Sequence, residues 1–407
     1  MKKPLAWAVT LATVAACAFG AALPAAAADD TTTTTAAASN AFGLDTSSLD
    51  PRQKELVDKI LGSLPADYQE RVQAAVAEFG AGDTQWADIR DNAINPGEHQ
   101  CQNTALSAYA SNLLKGVDPL ILTVFNIMGV WDIAAFDAML RDGDPRSDSF
   151  GVHGEYTNEL THEGRDLKKF WDIDSDGIRI TPMHSFEVLN SPERMAHVFQ
   201  TWVPIGTEEG KLPEARWIIE LIHSVPAFQD GANPIFTFNA LAYSEKSDPH
   251  PAGISDHIVV GDGILQGMET VGLGDTAPRA ILAHEFSHHV QYQDNLFDNT
   301  TLTGPEATRR TELMADAFGT YFLTHSRGEA LNAKRLLDSE KSYYAVGDCR
   351  FKSSGHHGTP NQRLAASTWG ASVADDAADQ GHILPSMQLD ELFEAKLADF
   401  VKPDATD

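Results

Sequence analysis

Residues 280–290 read Ala280-Ile281-Leu282-Ala283-His284-Glu285-Phe286-Ser287-His288-His289-Val290, an H-E-x-x-H sequence set in an apolar run. Asp275 or Thr276 can cap a helix here and Pro278 suits its first turn. Ile281, Leu282, Phe286 and Val290 supply apolar surface. In a helix, positions four apart differ by about 40°, so His284 and His288 project to one side and can share a metal ion. Glu285 is turned by about 100° and falls beside that metal, where it can take a proton from a bound water. His289 faces away from both histidines and is expected to pack or to meet solvent.

A catalytic metal centre of this kind needs a third protein ligand and one open position. Downstream lies Pro305-Glu306-Ala307-Thr308-Arg309-Arg310-Thr311-Glu312-Leu313-Met314-Ala315-Asp316-Ala317-Phe318. Its periodicity predicts a second helix, opened by Pro305 and closed by Gly328. Glu312 and Asp316 fall one turn apart, beside the apolar face of Leu313, Ala317, Phe318, Tyr321 and Phe322. Two carboxylates so placed are costly without a partner. A metal on Glu312, and the free N–H of a ligand histidine, His284, on Asp316, would satisfy both. The plainer alternative is an acidic face paired with Arg309 or Arg310. Asp294 lies ten residues after His284, at the spacing of a different ligand pattern, but a helix continuing through Gln291 turns it about 240° away from His288.

H-E-x-x-H followed by E-x-x-x-D on the next helix resembles the gluzincin, thermolysin-like metallopeptidases. HEFSHHVQ (284–291), ELMADAF (312–318) and HHGTPNQR (356–363) resemble more closely a family of bacterial neutral zinc metallopeptidases, over about residues 255–370. The resemblance implies a helix-dominated α+β, zincin-like fold, a zinc ion on His284, His288 and Glu312, Glu285 as general base, and a peptide or protein substrate. It also implies a histidine that stabilises the oxyanion, for which His356 and His357 both stand open. By analogy of fold, a strand before the zinc helix pairs with the substrate backbone. Asn239–Tyr243 and His257–Gly263 are the candidates.

Asp172-Ile173-Asp174-Ser175-Asp176-Gly177 matches the first half of a calcium loop. Met183 stands where its bidentate acid belongs, so a solvated turn competes with a Ca²⁺ held by Asp172, Asp174 and Asp176. His162-Glu163 with Asp166 is read as coincidence, because Gly164 interrupts the helix such a site needs.

Residues 1–28 have the layout of a secretory signal: Lys2 and Lys3, an apolar run from Pro4 to Leu23, then Ala25–Ala28. Val14-Ala15-Ala16-Cys17 offers a lipoprotein box as the minor alternative. Export leaves Cys101 and Cys349, an even pair expected to form one disulfide. Residues 29–48, with Thr31–Thr35 and Ala36–Ala38, read as a disordered linker. Residues 49–149 read as a helical region: Asp50-Pro51 opens one helix, 66–79 and 104–114 form others, and Asp118-Pro119 opens a buried helix or helix pair reaching Leu140. Asn126, Asp132 and Asp137 argue against a membrane span there. The metallopeptidase domain is expected over 150–407, with loop and short strand across 145–181, helices over 192–202 and 213–223, and strands over 236–243 and 257–260.

The chain carries 58 acidic against 30 basic residues, a net charge of −28. Such a surface repels phosphate backbones, which excludes nucleic acid as a partner. The competing class is a secreted or cell-envelope interaction protein with a structural or degenerate zinc site. Glu285 and an open metal position separate the two.

Overall fold

The computed structural model describes residues 44–64, 100–101, 104–141, 149–202, 207–246, 253–349, 356–376 and 381–404. The signal-like segment, most of the linker and the helix expected over 66–79 lie outside the described residues. In chain order the elements are α1 (Pro51–Ser63), α2 (Ala105–Leu113), α3 (Pro119–Met128), α4 (Ile133–Leu140), α5 (Thr157–Phe170), β1 (Arg179–Met183), α6 (Pro192–Trp202), α7 (Glu208–His223), β2 (Ala240–Tyr243), β3 (His257–Gly261), α8 (Asp262–Thr270), α9 (Ala277–Gln293), α10 (Gly304–Thr324), α11 (Ala333–Val346), α12 (Pro360–Asp376) and α13 (Ser386–Phe400). This is a helix-dominated α+β protein with one small sheet.

Local sequence accounts for several helix starts. Asp50 caps α1 by accepting from Arg52 N and Gln53 N, and Gln53 returns a bond to Asp50 N. Asp118 caps α3 ahead of Pro119, and Thr104 caps α2. The apolar stretch from Pro119 to Leu140 is a helix pair bent by 67° at Gly129. No single described helix is long and apolar enough to cross a membrane. At α9 the expected cap is missing: Thr276 occupies the position without a side-chain bond, and Asp275 pairs with Arg335 instead.

The stretch read as loop, 145–181, contains the 14-residue helix α5. Leu160, Gly164, Leu167 and Phe170 form one buried stripe that packs it down. Gly164 is no breaker here but the point of close contact with β1: a Cβ would lie 2.4 Å from Ile180 Cδ1, which would have to move. Tertiary contact overrides propensity at this point.

The sheet order is β1-β3-β2, with β1 parallel and β2 antiparallel to β3. β3 is central and buried throughout, so His257–Gly263 cannot serve as an edge strand. β1 and β2 are the two edge strands of this sheet, and β2 is half-buried. Two apolar clusters flank the sheet. One unites buried residues of 49–61 and 106–139 with residues from Met183 to Ala277, so these described parts of the N-terminal region share a core with the region that follows. The other surrounds α9, α10, α12 and α13. Leu44, read as linker, already packs against the first cluster.

Asp132, in the turn between α3 and α4, is buried with Oδ2 lacking a hydrogen-bond partner, and burial raises its pKa from 3.8 to about 8. An unfolded aspartate titrates near about 4. The unfolded chain therefore ionises first, and stability is expected to fall as pH rises from about 4 to 8. Asp132→Asn should flatten that slope. The check is the thermal midpoint of both proteins at pH 5 and pH 8; equal slopes would show that Asp132 ionises freely in the fold.

Candidate metal centre

The α9 helix is buried continuously from Leu282 to Gln291, so its histidines lie inside the protein. α10 crosses it closely at His284. Gly319 permits this approach: a Cβ there would lie 3.2 Å from the backbone of Ala283 and His284 and 2.7 Å from Tyr343 Oη. The crossing brings Glu312 to the two histidines. His284 Nε2 lies 3.4 Å from Glu312 Oε2, and His288 Nε2 lies 3.6 Å from Glu312 Oε1. One ligand atom from each of the three residues falls within 4.8 Å of the others, and among the described residues this is the one such group.

The outer nitrogens define the tautomers. His284 Nδ1 donates to Asp316 Oδ1 at 2.9 Å. His288 Nδ1 donates to Gln291 Oε1 at 2.9 Å, because Gln291 Nε2 is itself donating to Thr311 O. Both Nε2 atoms therefore turn lone pairs inward, only 3.1 Å apart and facing a carboxylate. Two lone pairs and a carboxylate converging at that distance repel unless a cation or proton lies between them. The donor set, two neutral imidazoles and one carboxylate, suits a divalent ion and matches the three-ligand pattern of open zinc sites. Without one, burial works to lower the His284 pKa, but Asp316 and Glu312 outweigh it and hold the ring up at about 9. Burial takes His288 down to about 4. Glu312 sits well below its usual range: His357, His284 and His288 overcome its desolvation.

The carboxylates of Glu312 and Asp316 find neither of the cations weighed from sequence. Arg310 bonds Glu394 and Leu296 O, and Arg309 Nε and Nη1 make no hydrogen bond. Arg363 on α12 serves instead. Its Nε and Nη2 bond the two oxygens of Asp316 at 2.7 and 2.6 Å, and its Nη1 lies 3.8 Å from Glu312. Burial opposes that charge, yet Asp316 and Glu312 raise the guanidinium pKa further. Asp316 is fully buried, so it ties ligand histidine and arginine together in one ion network.

Glu285 is buried beside the triad. Burial raises its pKa from 4.5 to about 7 and Glu312 adds to the rise, against the pull of His284, His357 and Arg363. The two histidines of 356–357 separate clearly. Both are held by Asp348: Oδ1 takes His356 Nδ1 at 2.7 Å, and Oδ2 takes His357 N at 2.9 Å and His357 Nδ1 at 3.1 Å. His356 is fully buried, whereas His357 turns Nε2 toward the centre, 3.9 Å from Glu312 Oε2. His289 is buried and donates from Nε2 to His257 O at 3.0 Å, pinning α9 to β3. Beside His288, Phe297 lies 6.1 Å away ring to ring and stacks on Tyr292, whose hydroxyl reaches Ala242 O on β2.

Asp294 ends α9 and bonds Ser386, away from the triad. The calcium expectation is not supported. Asp172, Asp174 and Asp176 are exposed, Asp172 Oδ1 accepts from Ser386 N, and Asp174 bonds Gln293 through its backbone. Cys101 and Cys349 form the expected disulfide. Gln291, Asp348 and Arg363 were not assigned roles from sequence. Arg363 stood inside the quoted stretch 356–363, and the need of two buried carboxylates for a cation was its only signal. The chain matches no family model, no curated protein and no solved structure.

Proposed function

We propose that this chain is an exported zinc-dependent metallopeptidase with a zincin-like catalytic fold of the gluzincin type. The carrying observation is the convergence of His284 Nε2, His288 Nε2 and a Glu312 carboxylate, with a buried carboxyl, Glu285, beside them. Zinc held by these three would polarise a peptide carbonyl and lower the pKa of a bound water. Glu285 would accept a proton from the attacking water on its carboxylate and pass it to the departing amine. His357, held by Asp348 through Nδ1–H, would stabilise the oxyanion from Nε2 when its ring carries the second proton. Asp316 and Arg363 hold His284 in the tautomer that presents Nε2. β2, an edge strand beside the Tyr292–Phe297 wall, is the candidate to pair with an extended peptide. The bonded cysteine pair and the signal-like N-terminus support export. A structural zinc site in an interaction protein would close with a fourth protein ligand; the group among the described residues has three.

The test is metal content and cleavage of an unstructured protein such as casein, before and after chelation. About one zinc per chain, cleavage lost on chelation and restored by zinc, is the expected result. Zinc binding without cleavage of any protein or peptide tried would favour the interaction-protein reading. Within the site, His357→Ala should keep zinc and lower kcat by about 10²–10³-fold. The measurement is steady-state kinetics beside His356→Ala; a larger loss of kcat in the His356 variant, with zinc and fold intact, would reverse the assignment.

A further inference from the structure

We propose that the Cys101–Cys349 disulfide positions the arm that carries His357, so that oxidation of this pair switches the site on. The proposal rests on the peptidase reading above and adds its regulation. Cys349 follows Asp348 directly, and both oxygens of Asp348 are committed to His356 and His357. The described residues of the arm, 347–349 and 356–359, lie between the end of α11 at Val346 and the start of α12 at Pro360. Its base is closed by Asp348 N donating to Gly358 O at 3.0 Å. No described residue of the arm belongs to a helix or strand, so its geometry depends on what grips it.

The grip comes from residues 100–104, distant in sequence. The disulfide spans 248 residues and brings the two Cα atoms to 5.7 Å. Cys101 Sγ lies 3.5 Å from Asp348 O. Thr104 Oγ1 donates to Ala345 O at 2.6 Å, just before the arm. Gln100 bonds Asp404 through N and Nε2, both at 2.7 Å, and Asp404 accepts from Asn361 Nδ2 just after the arm. Gln100, Cys101 and Thr104 thus stitch both roots of the arm, and the disulfide is the covalent stitch nearest Asp348. The metal ligands sit on α9 and α10, whose apolar residues pack in a cluster that includes neither Cys101 nor any described residue of the arm. Loss of the disulfide therefore loosens His357 while leaving the triad in place.

Cys349 is exposed and Cys101 half-buried, so thiol reagents reach the bond. In the closing step the thiolate of one cysteine attacks a small-molecule disulfide and releases one thiol. The second cysteine then displaces the other thiol; both protein sulfurs are oxidised and two equivalents of thiol leave. In a reducing cytosol the pair stays open and the arm loose; in an oxidising exterior it closes.

The experiment uses the full chain, zinc-loaded, as oxidised wild type and as the Cys101→Ala/Cys349→Ala double variant. The variant should keep its zinc and its KM, lose about 10- to 100-fold in kcat, and exchange the amide hydrogens of residues 347–359 at least about tenfold faster. Wild type reduced by a phosphine, with zinc content monitored, should behave like the variant. Oxidised glutathione should then restore wild type and leave the variant unchanged. Unchanged kcat and unchanged exchange in the variant would overturn the proposal, as would parallel loss of zinc. If the variant fails to fold, reduction of folded wild type decides on the same readouts. If oxidised wild type cleaves nothing, the peptidase reading fails, while the exchange measurement still decides whether the disulfide holds the arm.

Discussion

Replacing Glu285 by Gln is expected to leave zinc bound and to lower kcat by about 10²–10⁴-fold, the usual contribution of a positioned acid–base group. The substitution conserves shape in a buried position, so the histidines and Glu312 should keep their places. What disappears is the proton acceptor. In the metal-free protein this carboxyl is held up at about 7 by burial first and by Glu312 second. It must ionise inside the protein, and that ionisation is tolerated only where cations converge. Removing it should therefore also remove a stability penalty in the metal-free form, one that grows as pH rises from about 4.3, where an unfolded glutamate titrates, through about 7. Two measurements check this: zinc stoichiometry with single-turnover cleavage, and the pH dependence of unfolding after chelation. Retained cleavage at near wild-type rate would remove Glu285 from the mechanism. Retained zinc with lost cleavage separates the catalytic role from a structural one.

Arg363→Met should cost about 3–5 kcal/mol of stability, the scale for a buried ion network that loses one partner. Asp316 is fully buried and takes two bonds from this guanidinium, and Glu312 lies 3.8 Å from its third nitrogen. Without Arg363, two carboxylates face each other across one imidazole. Zinc supplies part of the missing charge, so the loss should be larger in the metal-free protein than in the loaded one. Arg363→Lys should recover little, because a point charge cannot match both oxygens of Asp316 at once. Urea midpoints of the three proteins, with and without zinc, provide the check. A loss below about 1 kcal/mol, the range of exposed pairs, would mean that the network is open to solvent and that Asp316 does not orient His284.

The difference between these two predictions follows what could be read along the chain. Glu285 belongs to a five-residue stretch whose geometry is set by helical pitch alone, so its relation to His284 and His288 is fixed once the helix forms. Glu312 and Asp316 were legible as a pair for the same reason. Their partner was not: Arg363 stands 47 residues beyond Asp316, and only the packing of α12 on α10 delivers it there. The arginines beside Glu312 in sequence, Arg309 and Arg310, offered the simpler pairing, yet helical phase turns Arg310 toward Glu394 and Leu296.

A similar division runs through the fold. The caps at Asp50 and Asp118 and the break near the middle of 119–140 are local, carried by residues within one turn of each other. α5 was missed because Gly164 argues against a helix until Ile180 is known to lie where a Cβ would go. The place of β3 in the sheet was also hidden, since a short buried run reads alike for an edge and a centre. His356 and His357 could not be told apart by adjacency; the fork of Asp348 and the direction of the arm separate them.

Neighbours within a helix turn set the paired histidines, the carboxyl beside them, the Glu312–Asp316 pair and several helix starts. The tertiary structure decided what depends on chains meeting across tens or hundreds of residues. That includes the cation for Asp316, the histidine nearer the triad, which strands lie at the sheet edges, and the grip of Gln100, Cys101 and Thr104 on the arm. The reason is physical: helical pitch fixes angles locally, whereas a buried charge or a loop is settled only by the partner that folding brings to it.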